Sequence, residues 1–442
     1  MSYELGKSLI KKKKFKEAIN LFKNILHKKP NDFRAYFQIG KIYYELNDIK
    51  KSIFFFEKSD QIYPQNSNIL FNLALSLQSI GKIRQAKEKY LNIISINPKD
   101  VKSYYGLFFL DKKNITPKFL KNLKILVKDG SISQFERCLI NFIFSKIEKN
   151  KGNIENEINL LNLSKKECLE ANLIYNEQSN FYYKKIISNY YNKIKFVGNY
   201  KPLDNFNKQS HIFIIGLPRS GSTLVETIIS HNSRDIYSFG EFHGINTSIL
   251  DQVGSSIFSE NFKSVNYDLI LNKELFQNSL LDKYNIINNK IFLDKSLENF
   301  FNVEIILEFF PNAKFIHTHR NINDSIIGIY QTMLPELSWS HKIKDIIIYT
   351  DIYKEVINYF KKKYPDKILD IDLVKLSNQK EIESKKILNF CNIKFNDEFL
   401  NIDKNKKLFN KTNSFMQVKD KIHKYDDNKY QSYHYLITEI NE

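Results

Sequence analysis

Pro30, Pro64 and Pro98 stand 34 residues apart, and that spacing recurs around them. Ala18, Ser52 and Ala86 share it, as do Phe22, Phe56 and Tyr90. Gly6, Gly40 and Ala74 fall in the same frame, and Leu9, Tyr43 and Leu77 follow it. Self-similarity at one period calls for a repeated unit that buries its apolar face only by stacking on its neighbours. The residue types say what the unit is. Small residues let two helices approach closely, and aromatics fill the space between them. Each proline stands where the second helix must stop, because proline cannot continue a helix. The chain therefore opens with helix–turn–helix units.

Period and columns resemble the tetratricopeptide repeat (TPR) over residues 1–98. Tyr104, Gly106 and an early Pro117 suggest a degraded fourth unit. The resemblance implies an all-α solenoid whose concave groove takes a protein or peptide. A rigid spacer or a homodimer contact is the other use of such an element. The run Lys11–Lys14 falls at the first turn and reads as solvated. Beyond it, FERCLINFIFSKIEKN and the stretch from Cys168 to Phe196 carry apolar residues at helical spacing. The sequence divides into repeats at 1–117, a helical connector at 118–205 and a second domain at 206–442.

Lysine and arginine outnumber acidic residues and leave a net charge of +18, which favours an anionic ligand. No nucleic-acid partner is expected. Cys138, Cys168 and Cys391 form no CxxC pair, which argues against a zinc site or disulfide framework and suits a reducing cytoplasm. The first residues, MSYELGKSLIKKKKF, show no signal peptide, and no long apolar stretch reads as a membrane span.

After Ser210 the pattern changes. Apolar strand candidates at 212–216, 291–293, 313–318 and 368–373 alternate with helical stretches, predicting an α/β domain with a central parallel sheet. Its first unit reads IFIIGLPRSGSTLVETIISHN: strand, glycine-bearing turn, helix. Gly216, Gly221 and Thr223 match the P-loop pattern, but Ser222 stands where that pattern has lysine, and Arg219 lies inside the loop. The backbone cradle survives that change, because its N–H groups and the helix N-terminus supply the field. The lysine that reaches the outer phosphates does not. Asp294 is followed by Lys295, whose charge would compete with a metal ion, so no metal is expected.

At this point the residues resemble the sulfotransferases that use 3′-phosphoadenosine 5′-phosphosulfate (PAPS), and Pro218-Arg219-Ser220-Gly221-Ser222-Thr223-Leu224 looks most like the protein-tyrosine branch. The resemblance implies a P-loop-like sulfotransferase domain in which this loop, through Arg219, Ser222 and Thr223, holds the donor. It implies a catalytic base at Glu241, in SFGEFH, and a lysine on the transferring group at Lys295, in LDKSLENF. It places Arg320 on the donor's 3′-phosphate, and Ser414, Gln417, Val418 and Lys419 in a donor-closing segment, with Lys429 and Tyr433 following. The expected reaction moves a sulfuryl group from PAPS to a hydroxyl acceptor, such as tyrosine of a protein or peptide recruited by the repeats.

Two positions depart from the family. Gly328 stands where the family has a serine, with Ser325 nearby, and Leu373 stands where it has a tyrosine against the adenine. His317 and His319, read as facing opposite ways about Thr318, are structural candidates before they are catalytic ones. A P-loop kinase or NTPase, and a non-catalytic TPR scaffold with a degenerate second domain, are the alternative readings.

Overall fold

The computed structural model describes residues 3–111, 114–200, 209–233, 235–264, 269–284, 290–395, 426 and 428–441. The chain forms two compact units. One holds Ala18–Asn176 with Met333–Lys342; the other holds Met1–Glu17, Glu177–Thr332 and Ile343–Glu442.

The first unit is helical. Helices α3 (Phe33–Glu45) and α4 (Ile49–Ile62) form one repeat, and α5 (Ser67–Ser79) and α6 (Ile83–Ile96) the next. They follow α1 (Tyr3–Lys11) and α2 (Phe15–Lys28) in sequence. The columns act as their chemistry requires. A β-carbon on Gly40 would lie 2.7 Å from the Phe56 ring, so only glycine lets α3 approach α4 this closely. Phe22, Phe56 and Tyr90 are fully buried. Pro64 and Pro98 each follow two residues after the second helix of their repeat ends.

Two further columns share the period. Asp32, Asn66 and Asp100 each cap the first helix of a unit, their side chains accepting backbone N–H bonds one turn in. Lys13, Asn47 and Gly81 each take a left-handed φ at the intervening turn: +56°, +61° and +75°. Helices α7 (Val101–Leu110), α8 (Pro117–Leu126), α9 (Gln134–Asn150) and α10 (Ile154–Glu170) continue the helical run. A complete capping box on Ser133 and Glu136 starts α9.

The second unit is built on strands. The short pair β1 (Lys195–Val197) and β4 (Ile270–Asn272) stands apart. The main sheet holds β2 (Ser210–Gly216), β3 (Ile236–Gly240), β5 (Ile291–Asp294), β6 (Lys314–His319) and β7 (Ile368–Asp372). Its order is β3-β5-β2-β6-β7 and every pairing is parallel. Alternation in β2 sorts its two faces. Ile212 and Ile214 pack with Val225, Ile228, Ile316, Ile371, Ile387 and Leu388 in one apolar cluster. On the other face Phe213 stacks on Phe315, at 5.6 Å between ring centroids. The sequence marks four of these five strands; β3 is not among them.

The sheet order also sets up a site. The chain enters on central β2 and crosses to β3 and β5 on one side, then to β6 and β7 on the other. Ligands in open parallel sheets bind at the carboxyl ends of strands around such a reversal.

Candidate active site

The loop after β2 is held open by backbone geometry that few residues accept. Gly216 has φ +143°, and a β-carbon there would meet the Thr318 carbonyl oxygen at 2.4 Å. Gly221 has φ +92°, and a β-carbon there would lie 2.6 Å from Leu373 Cδ1. Arg219, between them, is itself left-handed at φ +69°. Alternating handedness of this kind turns successive N–H groups to one side, which favours an anion. Ser220 closes the turn: its hydroxyl donates to the Leu217 carbonyl at 2.6 Å and stands 2.7 Å from Thr318 Oγ1.

The helix Ser222–Asn232 starts on Gly221 with no side-chain cap. An uncapped helix start presents its first N–H groups and the positive end of its dipole. Burial lowers the pKa of Arg219; Tyr430 acts against that shift and Arg320 adds to it.

Register places the next two residues side by side. Gly240 of β3 pairs with Asp294 of β5, so Glu241 and Lys295 leave adjacent strand ends together. A bulge between Ser238 and Gly240 re-aims that end of β3. The Lys295 N–H donates to the Gly240 carbonyl at 2.9 Å, and the His243 N–H to Ser296 Oγ at 2.7 Å, which pins the two loops.

The Lys295 side chain is completely buried, and its Nζ lies 3.3 Å from Glu241 Oε1 and 3.0 Å from Glu226 Oε2. It also donates to Thr223 Oγ1 at 3.4 Å. Burial works against the ammonium charge, but Glu226 and Glu241 outweigh it and the pKa is raised. Glu241 keeps 48% of its side chain exposed, so the same carboxylate faces solvent and a buried cation.

Sequence reasoning missed Glu226. Its only signal is a lone carboxylate inside the apolar run of the loop helix. Ser238 Oγ donates to its Oε1 at 2.6 Å, which orients it toward Lys295. Asp294 is held by protein partners. Its carboxylate accepts from Tyr284 Oη and from the Ser296 N–H, both at 2.7 Å, and burial raises its pKa. Among the described residues no group of three or more His, Cys, Asp or Glu side chains is placed to hold a metal ion.

Arg320 leaves the end of β6, beside the loop. It is 8% exposed, and its Nη2 donates to the Asp324 backbone carbonyl at 2.8 Å, not to the Asp324 carboxylate. Its Nε is buried and has no hydrogen-bond partner among the described residues. A cavity of about 230 Å³ opens here, lined among others by Leu217, Ser220, His319, Arg320, Ser325 and Tyr353. Ser325 Oγ donates to the Asn321 carbonyl at 3.0 Å. Leu373 packs on the loop at Gly221.

Both ring nitrogens of His317 are engaged: Nδ1 lies 2.6 Å from Asp370 Oδ1 and Nε2 is bonded to Tyr353 Oη. The opposite-face reading of the two histidines is corrected. Their rings stack 5.3 Å apart on one face, as residues two apart in a strand must.

Ser414, Gln417, Val418 and Lys419 lie outside the described residues. Tyr433 is a core residue, 5% exposed. Tyr430 meets the site, with its ring centroid 4.9 Å from Arg320 Cζ.

The run Lys11–Lys14 is only partly solvated, which corrects its sequence reading. Lys13 Nζ lies 4.7 Å over the Phe242 ring, next to Glu241, and Lys14 pairs with Asp282 at 2.9 Å. The adjoining His243 is paired with Glu298.

Residues 211–397 match the sulfotransferase family model, and residues 33–66 match a tetratricopeptide repeat. An uncharacterized protein of Aquifex aeolicus is 24% identical over 436 residues, covering 93% of this chain and 54% of its own length. The chain thus spans about half of that relative. The CTR9 homolog of Arabidopsis thaliana is 28% identical over 109 residues, covering 24% of this chain and 10% of that protein. Among solved structures, the one titled "Crystal structure of MamA" aligns with 38% of this chain and 96% of its own, at 16% identity and a TM-score of 0.32. Among the described residues no helix is long and apolar enough to cross a membrane. The chain joins a tetratricopeptide-repeat region to a domain of the sulfotransferase family.

Proposed function

We propose that the second domain transfers a sulfuryl group from PAPS to a hydroxyl acceptor. The observation that carries this reading is the pairing of Glu241 with Lys295, 3.3 Å apart, next to an uncapped helix N-terminus. Three features fit a donor with two separate anionic groups. The cradle needs glycine at Gly216, where a β-carbon would meet the Thr318 carbonyl oxygen, and favours it at Gly221, whose φ is +92°. The helix start is uncapped. Arg320 keeps a buried Nε with no partner among the described residues.

When bound, the donor supplies the sulfuryl group, and 3′-phosphoadenosine 5′-phosphate departs as its S–O bond breaks. Glu241 takes the proton of the attacking hydroxyl, whose oxygen forms the new S–O bond. Its exposure gives an acceptor access to the carboxylate. Lys295 and Arg219 offset the negative charge that gathers on the transferred group and the leaving phosphate. Thr223 and Ser222 hold the phosphate at the helix start. Arg320 holds the second phosphate. Transfer of this kind is mostly positioning and charge stabilisation, as in phosphoryl transfer.

The repeats suit recruitment of a protein or peptide acceptor, and tyrosine is the acceptor the loop's resemblance favours. Isotopically labelled PAPS incubated with the protein and a cell lysate tests this directly. Label in a macromolecule supports the reading, and label in a small metabolite redirects it. Magnesium-dependent ATP turnover with no sulfuryl transfer would replace it.

A further inference from the structure

Two of the three cysteines, Cys138 and Cys168, belong to the helical unit, and sulfuryl transfer uses neither. Helices α9 and α10 pack as an antiparallel pair joined by a short turn at 151–153. Cys138 lies near the start of α9 and Cys168 near the end of α10, so the pairing brings them level. Ser164 stands one helical turn before Cys168 on the same face. Its hydroxyl donates to the Cys138 carbonyl at 2.9 Å and stands 3.5 Å from Cys138 Sγ. The two buried thiols interact directly, and each is the largest influence on the other.

Their surroundings are unusual for a helical core. Lys165, on the same helix as Cys168, is 1% exposed. His341 is 3% exposed, with no hydrogen-bond partner for either ring nitrogen among the described residues. Burying such groups costs stability. Here both act on one sulfur. Cys138 lowers the Cys168 pKa most, burial opposes it, and His341 and Lys165 add to the lowering. The Cys138 thiol moves the other way, raised by Cys168 and by burial. Cys391 is the contrast: burial pushes its pKa up to about 12 against the pull of Lys314. A thiol that favours its anion beside one that keeps its proton is where disulfide chemistry starts.

The pair also touches the segment Met333–Lys342, which belongs to the same unit. Cys138 Sγ lies 3.9 Å from Met333 Sδ at one end of it, and Cys168 borders His341 near the other. The segment joins the helix Ile322–Tyr330, which follows Arg320, to the helix Ile343–Lys363, which carries Tyr353. Closing a bond between the sulfurs draws each toward the other and off its contact with the segment.

We propose that Cys138 and Cys168 form a reversible redox couple whose oxidation to a disulfide repacks the segment Met333–Lys342. The oxidant is a peroxide. The Cys168 thiolate attacks one peroxide oxygen, the O–O bond breaks, and the released hydroxide takes up a proton and leaves as water. The Cys138 sulfur then attacks the Cys168 sulfenic acid, its proton departs with the second oxygen as water, and the S–S bond forms. The two thiols give up two electrons and two protons in all, and the peroxide becomes two waters. A dithiol reductant reverses the change. Nothing in this depends on the donor reading.

Thiol titration and hydrogen exchange on the full chain test the proposal. After native treatment with hydrogen peroxide and removal of the excess, the unfolded chain should titrate one thiol, Cys391, in place of three, and dithiothreitol should restore all three. Mass spectrometry of a digest should place the bond between Cys138 and Cys168. Cys168→Ser should keep both of its remaining thiols at the same peroxide dose. Backbone amides of Met333–Lys342 should exchange at least roughly threefold faster in the oxidised wild type than in the reduced one. The wild-type measurements need no variant, so a misfolded Cys168→Ser leaves them decisive. Three thiols retained after peroxide would overturn the couple. A disulfide between Cys138 and Cys168 with unchanged exchange in the segment would overturn its repacking.

Discussion

Glu226 holds Lys295: a carboxylate on the loop helix and an ammonium at the end of β5 meet at 3.0 Å, each almost fully buried. The pair ties the loop helix to the end of β5. Removing one partner of a buried ion pair costs ~3–5 kcal/mol when the other charge is left alone. Glu241 would remain beside Lys295, so Glu226→Gln should cost less, roughly 1–3 kcal/mol. Because the folded pKa of Lys295 is raised, its contribution is complete at neutral pH and is lost only as pH climbs through that raised value. Urea unfolding at neutral pH measures the loss. An unchanged midpoint would remove Glu226 from this role.

His243 predicts a pH dependence closer to neutrality. Burial opposes its charge, but Glu298 and then Glu241 outweigh burial and the opposing Lys13, raising its pKa from 6.5 to about 9. A raised folded value means the stabilisation is full below 6.5 and fades as pH rises to about 9. With 43% of the side chain exposed, solvent screening keeps the effect small. Melting temperatures across that window should fall more in the wild type than in His243→Gln. Parallel curves would contradict the assignment.

Gly221 offers a test of the cradle. Its φ of +92° would cost an alanine ~1–2 kcal/mol, before the 2.6 Å approach of a β-carbon to Leu373 Cδ1 is counted. Gly221→Ala should therefore lower stability by at least about that much and weaken 3′-phosphoadenosine 5′-phosphate binding. Full retention of both would mean that the loop does not hold its ligand through this geometry.

Much of this is legible in residue order. Repeats announce themselves because each unit must solve the same packing problem, so the aromatic column that sets Phe56 against Gly40 also sets Tyr90, 34 residues on, against Gly106. The loop is legible because its glycines and hydroxyls are contiguous. Strand β3 is not, since a five-residue edge strand with Ser238 at its centre carries little apolar signal. Glu226 and Tyr430 escape for another reason. Their importance comes from what they meet, Lys295 and Arg320, and those partners lie far away in sequence. The turn at Lys13 reads as solvated because nothing local shows that Phe242 lies beneath it.

The central claim is that Glu241, set against Lys295, takes the acceptor's proton during sulfuryl transfer. Single-turnover transfer from labelled PAPS, compared between the wild type and Glu241→Gln, tests it most directly. The account expects the rate to fall ~10²–10⁴-fold while 3′-phosphoadenosine 5′-phosphate still binds. Near-normal transfer by the variant would contradict it.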